Sequence, residues 1–171
     1  MRLELSIRTS SRSTPTTDTM THFYYVEPQN LSKAGERPDW DTYYLGIAEA
    51  VSKRAECTRR QVGAVIVRDH TIMGTGYNGA PAGERSCLEG ACPRASSGAT
   101  PGTGYAASGC TAIHAEQNAI MRAGRDRCLG AAIYVNQQPC DLCSALIKAA
   151  GIEHVIYIKP PVKTTFGTAT L

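Results

Sequence analysis

The chain has 171 residues, of which 42% are hydrophobic, which is enough for one domain with a buried core. It contains no run of about 20 apolar residues and no apolar N-terminal signal segment, which speaks against a membrane-spanning or secreted protein and favours the cytoplasm. Its net charge of +3, without a basic stripe, argues against a polynucleotide partner.

The polar N-terminal segment is predicted to be a tail. Residues 10–17 (SSRSTPTT) have no hydrophobic period, so their contacts cannot offset the entropy cost of ordering them. We therefore expect a flexible tail over residues 1–37, a folded domain over 38–159 and a short C-terminal tail over 160–171.

The domain is predicted to begin with a helix and a hairpin. Asp39 is a suitable N-cap, and apolar residues follow it at helical spacing. The run Val62–Val67 predicts a buried strand. Asp69-His70 is predicted to form the turn that connects it to a second strand over 71–77. A loop rich in Gly, Pro and Ser follows over 79–109, and loops of this length are uncommon unless they are functional or held in place.

Helices and strands alternate in the second half of the chain. The expected elements are a helix over 112–123, a strand over 131–136, a helix over 141–150 that Gly151 caps, and a strand over 154–158. This alternation is typical of βαβ units and therefore of a partly parallel sheet.

Cysteine is the unusual residue of the composition. The seven cysteines are Cys57, Cys87, Cys92, Cys110, Cys128, Cys140 and Cys143. A closed set of disulfides would leave one thiol over, and in a reducing compartment clustered cysteines favour metal binding or catalysis. The composition therefore indicates a metalloprotein.

Two motifs at predicted helix starts carry the chemistry. His114-Ala115-Glu116 opens one helix, and the P-C-x-x-C motif with Cys140 and Cys143 opens the next. A neutral imidazole and two thiolates make a three-ligand zinc site whose fourth position is open to water, as in catalytic zinc sites. Glu116 can then serve as a general base without being a ligand.

Each motif alone has an ordinary interpretation. A histidine at a helix start is often a cap or a surface residue, and a lone C-x-x-C can be redox-active or half of a structural zinc site. Together, H-x-E and P-C-x-x-C are the signature of zinc-dependent nucleobase deaminases, and the combination favours catalysis.

Residues from about 38 to 158 resemble the deoxycytidylate (dCMP) deaminase branch of the zinc-dependent cytidine deaminase superfamily. The stretch G-Y-N-G-x-P-x-G over 76–83 matters most, because many other deaminases carry the zinc motifs without it. The other matching stretches are W-D-x-Y at 40–43, QVGAVIV at 61–67, IHAEQNAI at 113–120, Tyr134-Val135 before Pro139-Cys140, and AGI at 150–152. The resemblance implies a three-layer α/β/α fold with a mixed sheet of four to five strands flanked by helices.

The same resemblance implies roles for individual residues and a homo-oligomeric enzyme. Zinc would be held by His114, Cys140 and Cys143, and Glu116 would shuttle protons while water replaces ammonia at C4 of a cytosine-type nucleotide. Backbone groups of Ala64 and Ala115 would contact the pyrimidine, and Asn78 would contact the sugar–phosphate side.

A second, structural zinc is expected at four cysteines outside the catalytic motif. These are Cys57, Cys87, Cys92 and Cys110, and four thiolates would close a tetrahedral site that pins the long loop. The alternatives are that they are small buried hydrophobes, or that only some of them bind metal. Cys128 fits neither site.

The chain departs from the family pattern in two places. Only residues 159–171 follow the last predicted strand, which puts a further strand with its helix in doubt, and Asn136-Gln137-Gln138 stands where a threonine-containing approach to Pro-Cys is usual. A nucleoside, a free base or another small heterocycle of secondary metabolism therefore remains an alternative substrate. An inactive deaminase-fold binding module is a further alternative, although Glu116 argues against it. The arginines near the motifs are predicted to lie on solvated faces, with contact of one of them to a substrate phosphate as the alternative; they are Arg59, Arg60, Arg122, Arg125 and Arg127.

Overall fold

The computed structural model of the protein describes residues 20–27, 35, 37–99 and 109–158. A five-stranded mixed sheet with the strand order β1-β5-β4-β2-β3 forms its centre. The elements are β1 (His22–Val26), α1 (Trp40–Ser52), β2 (Gly63–Arg68), β3 (Thr71–Tyr77), a 3₁₀ turn (Cys87–Glu89), α2 (Pro93–Ser96), α3 (Ala115–Ala123), α4 (Arg125–Cys128), β4 (Ala132–Val135), α5 (Asp141–Ala149) and β5 (His154–Ile158).

The predicted helix start and hairpin are confirmed. The Asp39 side chain accepts a hydrogen bond from the backbone N–H of Thr42 at 2.7 Å and so caps α1. Asp69 and His70 both have positive φ, at 49° and 56°, and two such residues in succession make the tight turn that joins antiparallel β2 and β3.

Alternating side chains of β2 divide between the two faces of the sheet. Ala64 and Ile66 pack on one side in a core shared with α3, α4 and α5, whereas Val65 and Val67 pack on the other side against α1. The β4–α5–β5 unit supplies the predicted parallel pair, because β4 and β5 are parallel while β2 and β4 are antiparallel. The three-layer α/β/α prediction is confirmed.

Part of the predicted tail belongs to the sheet. Residues 22–26 form β1, which pairs in parallel with β5 from His22↔His154 to Val26↔Ile158. The Thr21 hydroxyl also donates to the carbonyl of Ile152 at 2.8 Å. The prediction of a flexible tail was wrong for this segment because its pairing partner lies far away in the sequence, and pairing satisfies backbone groups that β5 would otherwise expose.

The remaining boundaries differ little from the prediction. The third helix begins at Ala115 rather than Ala112, because His114 is its N-cap. Most of the predicted N-terminal tail, residues 100–108 of the long loop and the C-terminal tail lie outside the described residues. Within the described part of the chain, no helix has the length and apolar character needed to cross a membrane.

Candidate active site

The N-termini of α3 and α5 bring three metal-ligating side chains together. His114 is the N-cap of α3 and Cys140 is the N-cap of α5, with Cys143 in the first turn of that helix. His114 Nδ1 lies 3.6 Å from the Sγ of Cys140 and 3.3 Å from the Sγ of Cys143. Among the described residues, this is the one set of three or more potential ligands whose donor atoms all lie within 4.8 Å of one another.

Hydrogen bonds of neighbouring side chains fix the start of α3. The backbone N–H of His114 donates to Oε1 of Gln117 at 2.9 Å, and Nδ2 of Asn118 donates to the carbonyl of Tyr77 at 2.8 Å. This role of Gln117 was not predicted. Its position three residues after the N-cap is the signal that could have indicated it, since a glutamine there is half of a capping box.

Glycine in β3 lets α3 lie directly on the sheet. A Cβ placed on Gly76 would stand 2.1 Å from the carbonyl oxygen of Ala115 and 2.3 Å from the backbone nitrogen of Ala119. No side chain fits in that space, so the first turn of α3, which carries the catalytic motif, depends on a glycine in the strand below it.

The chemistry of the donor set fits zinc. Cys143 is fully buried, and burial, followed by the nearby Glu116 and Cys140, raises the pKa of its thiol far above the ordinary value. A divalent cation reverses this preference, because a coordinated thiol loses its proton. The positive ends of two helix dipoles also favour thiolates here, so two cysteines and one histidine form a suitable three-ligand zinc site.

Glu116 lies beside this donor set without being part of it. It is the second residue of α3, only 4% of its surface is exposed, and its carboxyl group lies close enough to Cys143 to disfavour ionisation of that thiol. Burial raises the pKa of Glu116, against the opposing effects of its backbone N–H and of His114. A carboxyl group with a raised pKa next to a metal site is suited to accept and return a proton.

A pocket of about 150 Å³ opens onto these groups. His114, Ala115, Glu116 and Cys140 line it, as does Asn78. Ala115 thus forms part of the pocket wall. Ala64 is fully buried within β2, where it pairs with Gly76 and Val135, and is not among the described residues that line the pocket.

Asn78 faces the pocket and also holds the backbone that leads into β2. Its Oδ1 accepts a hydrogen bond from the N–H of Val62 at 2.8 Å, and its Nδ2 donates to the carbonyl of Arg60 at 2.9 Å. The side chain is buried, with 7% exposed, so these two bonds give Asn78 a structural role in addition to any contact with a ligand.

The four remaining candidate ligands lie near one another but in a looser arrangement. Cys92, Cys57 and Cys110 all lie close enough to Cys87 to disfavour ionisation of its thiol. Burial, followed by the neighbouring Cys92, raises the pKa of Cys87 to about 12. Cys57, Cys92 and Cys110 also line the pocket, so the cysteine group borders the candidate active site.

Asn136, which stands where the family pattern has a different residue, makes hydrogen bonds to two neighbouring elements. Its Oδ1 accepts from the N–H of Gly63 at 2.9 Å, and its Nδ2 donates to Oε2 of Glu49 at 2.8 Å. The side chain therefore connects the end of β4 to the start of β2 and to α1. Gln137 and Gln138 follow it and line the pocket.

Comparison with known proteins agrees with this geometry. Residues 38–159 match the family described as the cytidine and deoxycytidylate deaminase zinc-binding region. The chain belongs to this family. Its members are hydrolytic deaminases, and the His114-Cys140-Cys143 set lies within the matched region.

Individual relatives support the assignment. A deoxycytidylate deaminase of Mycobacterium phage D29 is 52% identical over 126 residues, which cover 72% of this chain and 97% of the phage protein. The deoxycytidylate deaminase of Schizosaccharomyces pombe is 43% identical, but the match covers 71% of this chain and only 37% of the yeast protein. The crystal structure of the dCMP deaminase of cyanophage S-TIM5 in complex with dCMP and dUMP is 27% identical, with a TM-score of 0.57 over 74% of this chain and 87% of that one.

Proposed function

We propose that this deaminase converts deoxycytidine monophosphate (dCMP) to deoxyuridine monophosphate (dUMP) with release of ammonia. The observation that carries the proposal is the His114-Cys140-Cys143 set with Glu116 beside it, opening into one pocket. The deoxycytidylate deaminase of phage D29, which matches almost over its whole length, supports dCMP as the substrate.

In the proposed reaction, Glu116 moves the protons. A zinc ion held by His114, Cys140 and Cys143 supplies a Lewis acid that lowers the pKa of water at the site. Glu116 accepts a proton from the attacking water and passes it to N3 as the new C–O bond forms at C4. It then delivers the second proton of that water to the amino group, so that the C4–N bond breaks and ammonia leaves.

Three further residues are proposed to hold the nucleotide. Ala115 lies at the pocket wall, where its backbone can contact the pyrimidine, and Ala64 would act through its backbone from the neighbouring strand. The amide nitrogen of Asn78 carries two hydrogens, of which one goes to the carbonyl of Arg60. We assign the second to a hydroxyl or phosphate oxygen on the sugar side.

A second, structural zinc is proposed at Cys57, Cys87, Cys92 and Cys110. The proximity of the other three thiols to buried Cys87 supports it, because all three disfavour ionisation of Cys87 and a cation would stabilise its thiolate. The seven cysteines are all free thiols, which leaves these four available as ligands. Bound there, zinc would fasten the segment with the 3₁₀ turn and α2 to the end of α1 and to the approach to α3.

The remaining proposals concern the whole protein. The deaminase domain is assigned to residues 38–159, on the extent of the family match, with β1 as an added edge strand. A homo-oligomer is supported by exposed aromatic side chains on β1 and α1, such as Tyr25 and Trp40. A cytoplasmic location is supported by the free thiols, since disulfides are rare there.

Ammonia release from four substrates tests the proposed function. The zinc-loaded protein is mixed in turn with dCMP, deoxycytidine, cytosine and guanine. We expect fast release from dCMP and slow or no release from the other three. If ammonia is released faster from deoxycytidine, cytosine or guanine, that compound replaces dCMP as the proposed substrate. No release from any of the four compounds would support a binding module.

A further inference from the structure

An arginine is buried against the active-site pocket in the cysteine-rich segment, by which we mean the residues from the 3₁₀ turn to α2 and those next to them (85–99). In α2 the side chains of Pro93, Ala95 and Ser96 are exposed, whereas Arg94 has only 4% of its surface exposed. Arg94 lines the same pocket as Glu116 and His114. The short helix therefore turns its charged residue towards the reaction site and its small residues towards solvent.

Hydrogen bonds hold the backbone that carries this arginine. Nη1 of Arg59 donates to the carbonyl of Arg94 at 2.9 Å, and its other terminal nitrogen donates to the carbonyl of Ala99. The Cys92 sulfur caps α2 by accepting from the N–H of Ala95 at 3.4 Å. The prediction of a solvated Arg59 is therefore wrong, since this side chain is half-buried and acts as a positioning residue for Arg94.

Three arginines line the pocket, and a neutral substrate would not require them. Among the described residues that line it, the arginines are Arg59, Arg60 and Arg94, and the carboxyl group is Glu116. Arginine keeps its charge in proteins, so three guanidinium groups are available at this wall to pair with an anion whatever the state of Glu116. A cytosine ring and a deoxyribose are both neutral, whereas a phosphate monoester is an anion that the planar guanidinium fork can bind through two parallel hydrogen bonds.

We propose that Arg94 determines specificity for a nucleoside monophosphate by donating to the phosphate of the bound nucleotide. This inference rests on the proposed function, because the same pocket must also receive the cytosine ring. The specificity determinant then lies on the cysteine-rich segment, outside the catalytic motif. Arg60 is exposed at the pocket rim, where its charge attracts the approaching anion.

The test compares ligands with and without the phosphate in Arg94→Ala and Arg94→Gln. Arg85→Ala is the matched control, because Arg85 is an exposed arginine of the same segment that donates to the carbonyl of Glu89 and does not line the pocket. For each zinc-loaded protein, kcat/KM is measured with dCMP and deoxycytidine, and Kd is measured with dUMP and deoxyuridine. Zinc content and thermal midpoint are measured alongside.

Loss of a charge-assisted hydrogen-bonded contact predicts a selective effect. We expect both Arg94 variants to lower kcat/KM for dCMP and to weaken dUMP binding by about 10- to 100-fold, with deoxycytidine and deoxyuridine changed by less than about 3-fold. Arg85→Ala should leave all four values unchanged. Should Arg94→Ala fail to fold, Arg94→Gln keeps the long stem and its hydrogen-bond donor and still removes the charge.

Two results would overturn the proposal. Equal losses with and without the phosphate, accompanied by lost zinc, would show that Arg94 stabilises the cysteine group only, and unchanged dUMP binding would show that it makes no phosphate contact. The proposed function fails separately, if the wild-type protein releases no ammonia from dCMP. In that case the dUMP and deoxyuridine binding measurements still decide the role of Arg94.

Discussion

The side-chain oxygen of Asn78 accepts a hydrogen bond from the backbone N–H of Val62 at 2.8 Å, across the gap between the end of β3 and the start of β2. The same amide donates to the carbonyl of Arg60, so one buried side chain holds the backbone of two residues at this point. Because Val62 and Asn78 both line the pocket, this pairing fixes the shape of part of the pocket wall. Substitution of Asn78 therefore affects both the fold and the site.

Asn78→Ala should lower the free energy of unfolding by about 1–3 kcal/mol, because the buried N–H of Val62 loses its acceptor. If Asn78 also contacts the sugar, kcat/KM should fall more for dCMP and deoxycytidine than for cytosine. The measurements are denaturant unfolding and ammonia release. Tyr44→Phe is the control, since it removes one hydrogen bond, from the Tyr44 hydroxyl to the carbonyl of His70 at 3.0 Å, away from the pocket. Equal losses on all three substrates would leave Asn78 with a structural role alone.

Glu116→Gln should keep zinc but lose most of its turnover. The amide is close in size to the carboxylate and leaves His114, Cys140 and Cys143 untouched, but it cannot accept a proton from water. General acid–base catalysis contributes about 10²- to 10⁴-fold, so we expect kcat to fall by at least about 100-fold. Zinc analysis and ammonia release measure the two effects, with Glu153→Gln as a control distant from the pocket. Wild-type turnover in a zinc-loaded variant would remove Glu116 from the mechanism.

The acid limb of the pH profile reports the state of the same carboxyl group. Burial raises the pKa of Glu116 above its ordinary value of 4.5. A raised pKa keeps the group protonated up to a higher pH, and a protonated carboxyl group cannot accept the proton of water. We therefore expect kcat/KM for dCMP to fall as the pH is lowered, and this acid limb to be absent from the residual activity of zinc-loaded Glu116→Gln. Zinc content at each pH is the control for metal loss, and an unchanged acid limb in fully loaded Glu116→Gln would contradict the expected role.

Zinc analysis tests the second metal site. Fully loaded protein should contain two zinc ions per chain, and a chelator should remove the ion at His114, Cys140 and Cys143 first, because that site has an open position. Cys87→Ser should lose the resistant ion and lower the thermal midpoint, since structural zinc contributes folding free energy. Cys128→Ser is the matched control, as Cys128 is a buried thiol that belongs to neither set. A stoichiometry of one in fully loaded protein would exclude the second site.

The sequence predicted what depends on local spacing. The cap at Asp39 and the turn at Asp69-His70 each follow from residues a few positions apart, and the convergence of His114 with the P-C-x-x-C motif follows from two short motifs read together. Long-range contacts are different. The pairing of β1 with β5 and the burial of Arg94 depend on partners far along the chain. No short-range sequence pattern indicates such contacts.

Gly76→Ala tests how far the position of the catalytic helix depends on the strand beneath it. The new Cβ would stand 2.1 Å from the carbonyl oxygen of Ala115, so α3 must move away from β3 or the strand must distort. Overpacking of this kind costs about 1–3 kcal/mol or more, and here the displaced turn carries His114 and Glu116. We therefore expect a lower thermal midpoint together with weaker zinc binding.

Gly46→Ala is the matched control for this substitution. Gly46 lies inside α1 with no atom within 4 Å of the added Cβ, so alanine should stabilise the helix by about 0.5–1 kcal/mol and leave zinc binding unchanged. Thermal unfolding and zinc titration of both variants separate a general effect of alanine from the specific clash. If Gly76→Ala binds zinc as tightly as the wild-type protein while its thermal midpoint falls, the close packing of α3 on β3 supports the fold without placing the metal ligands.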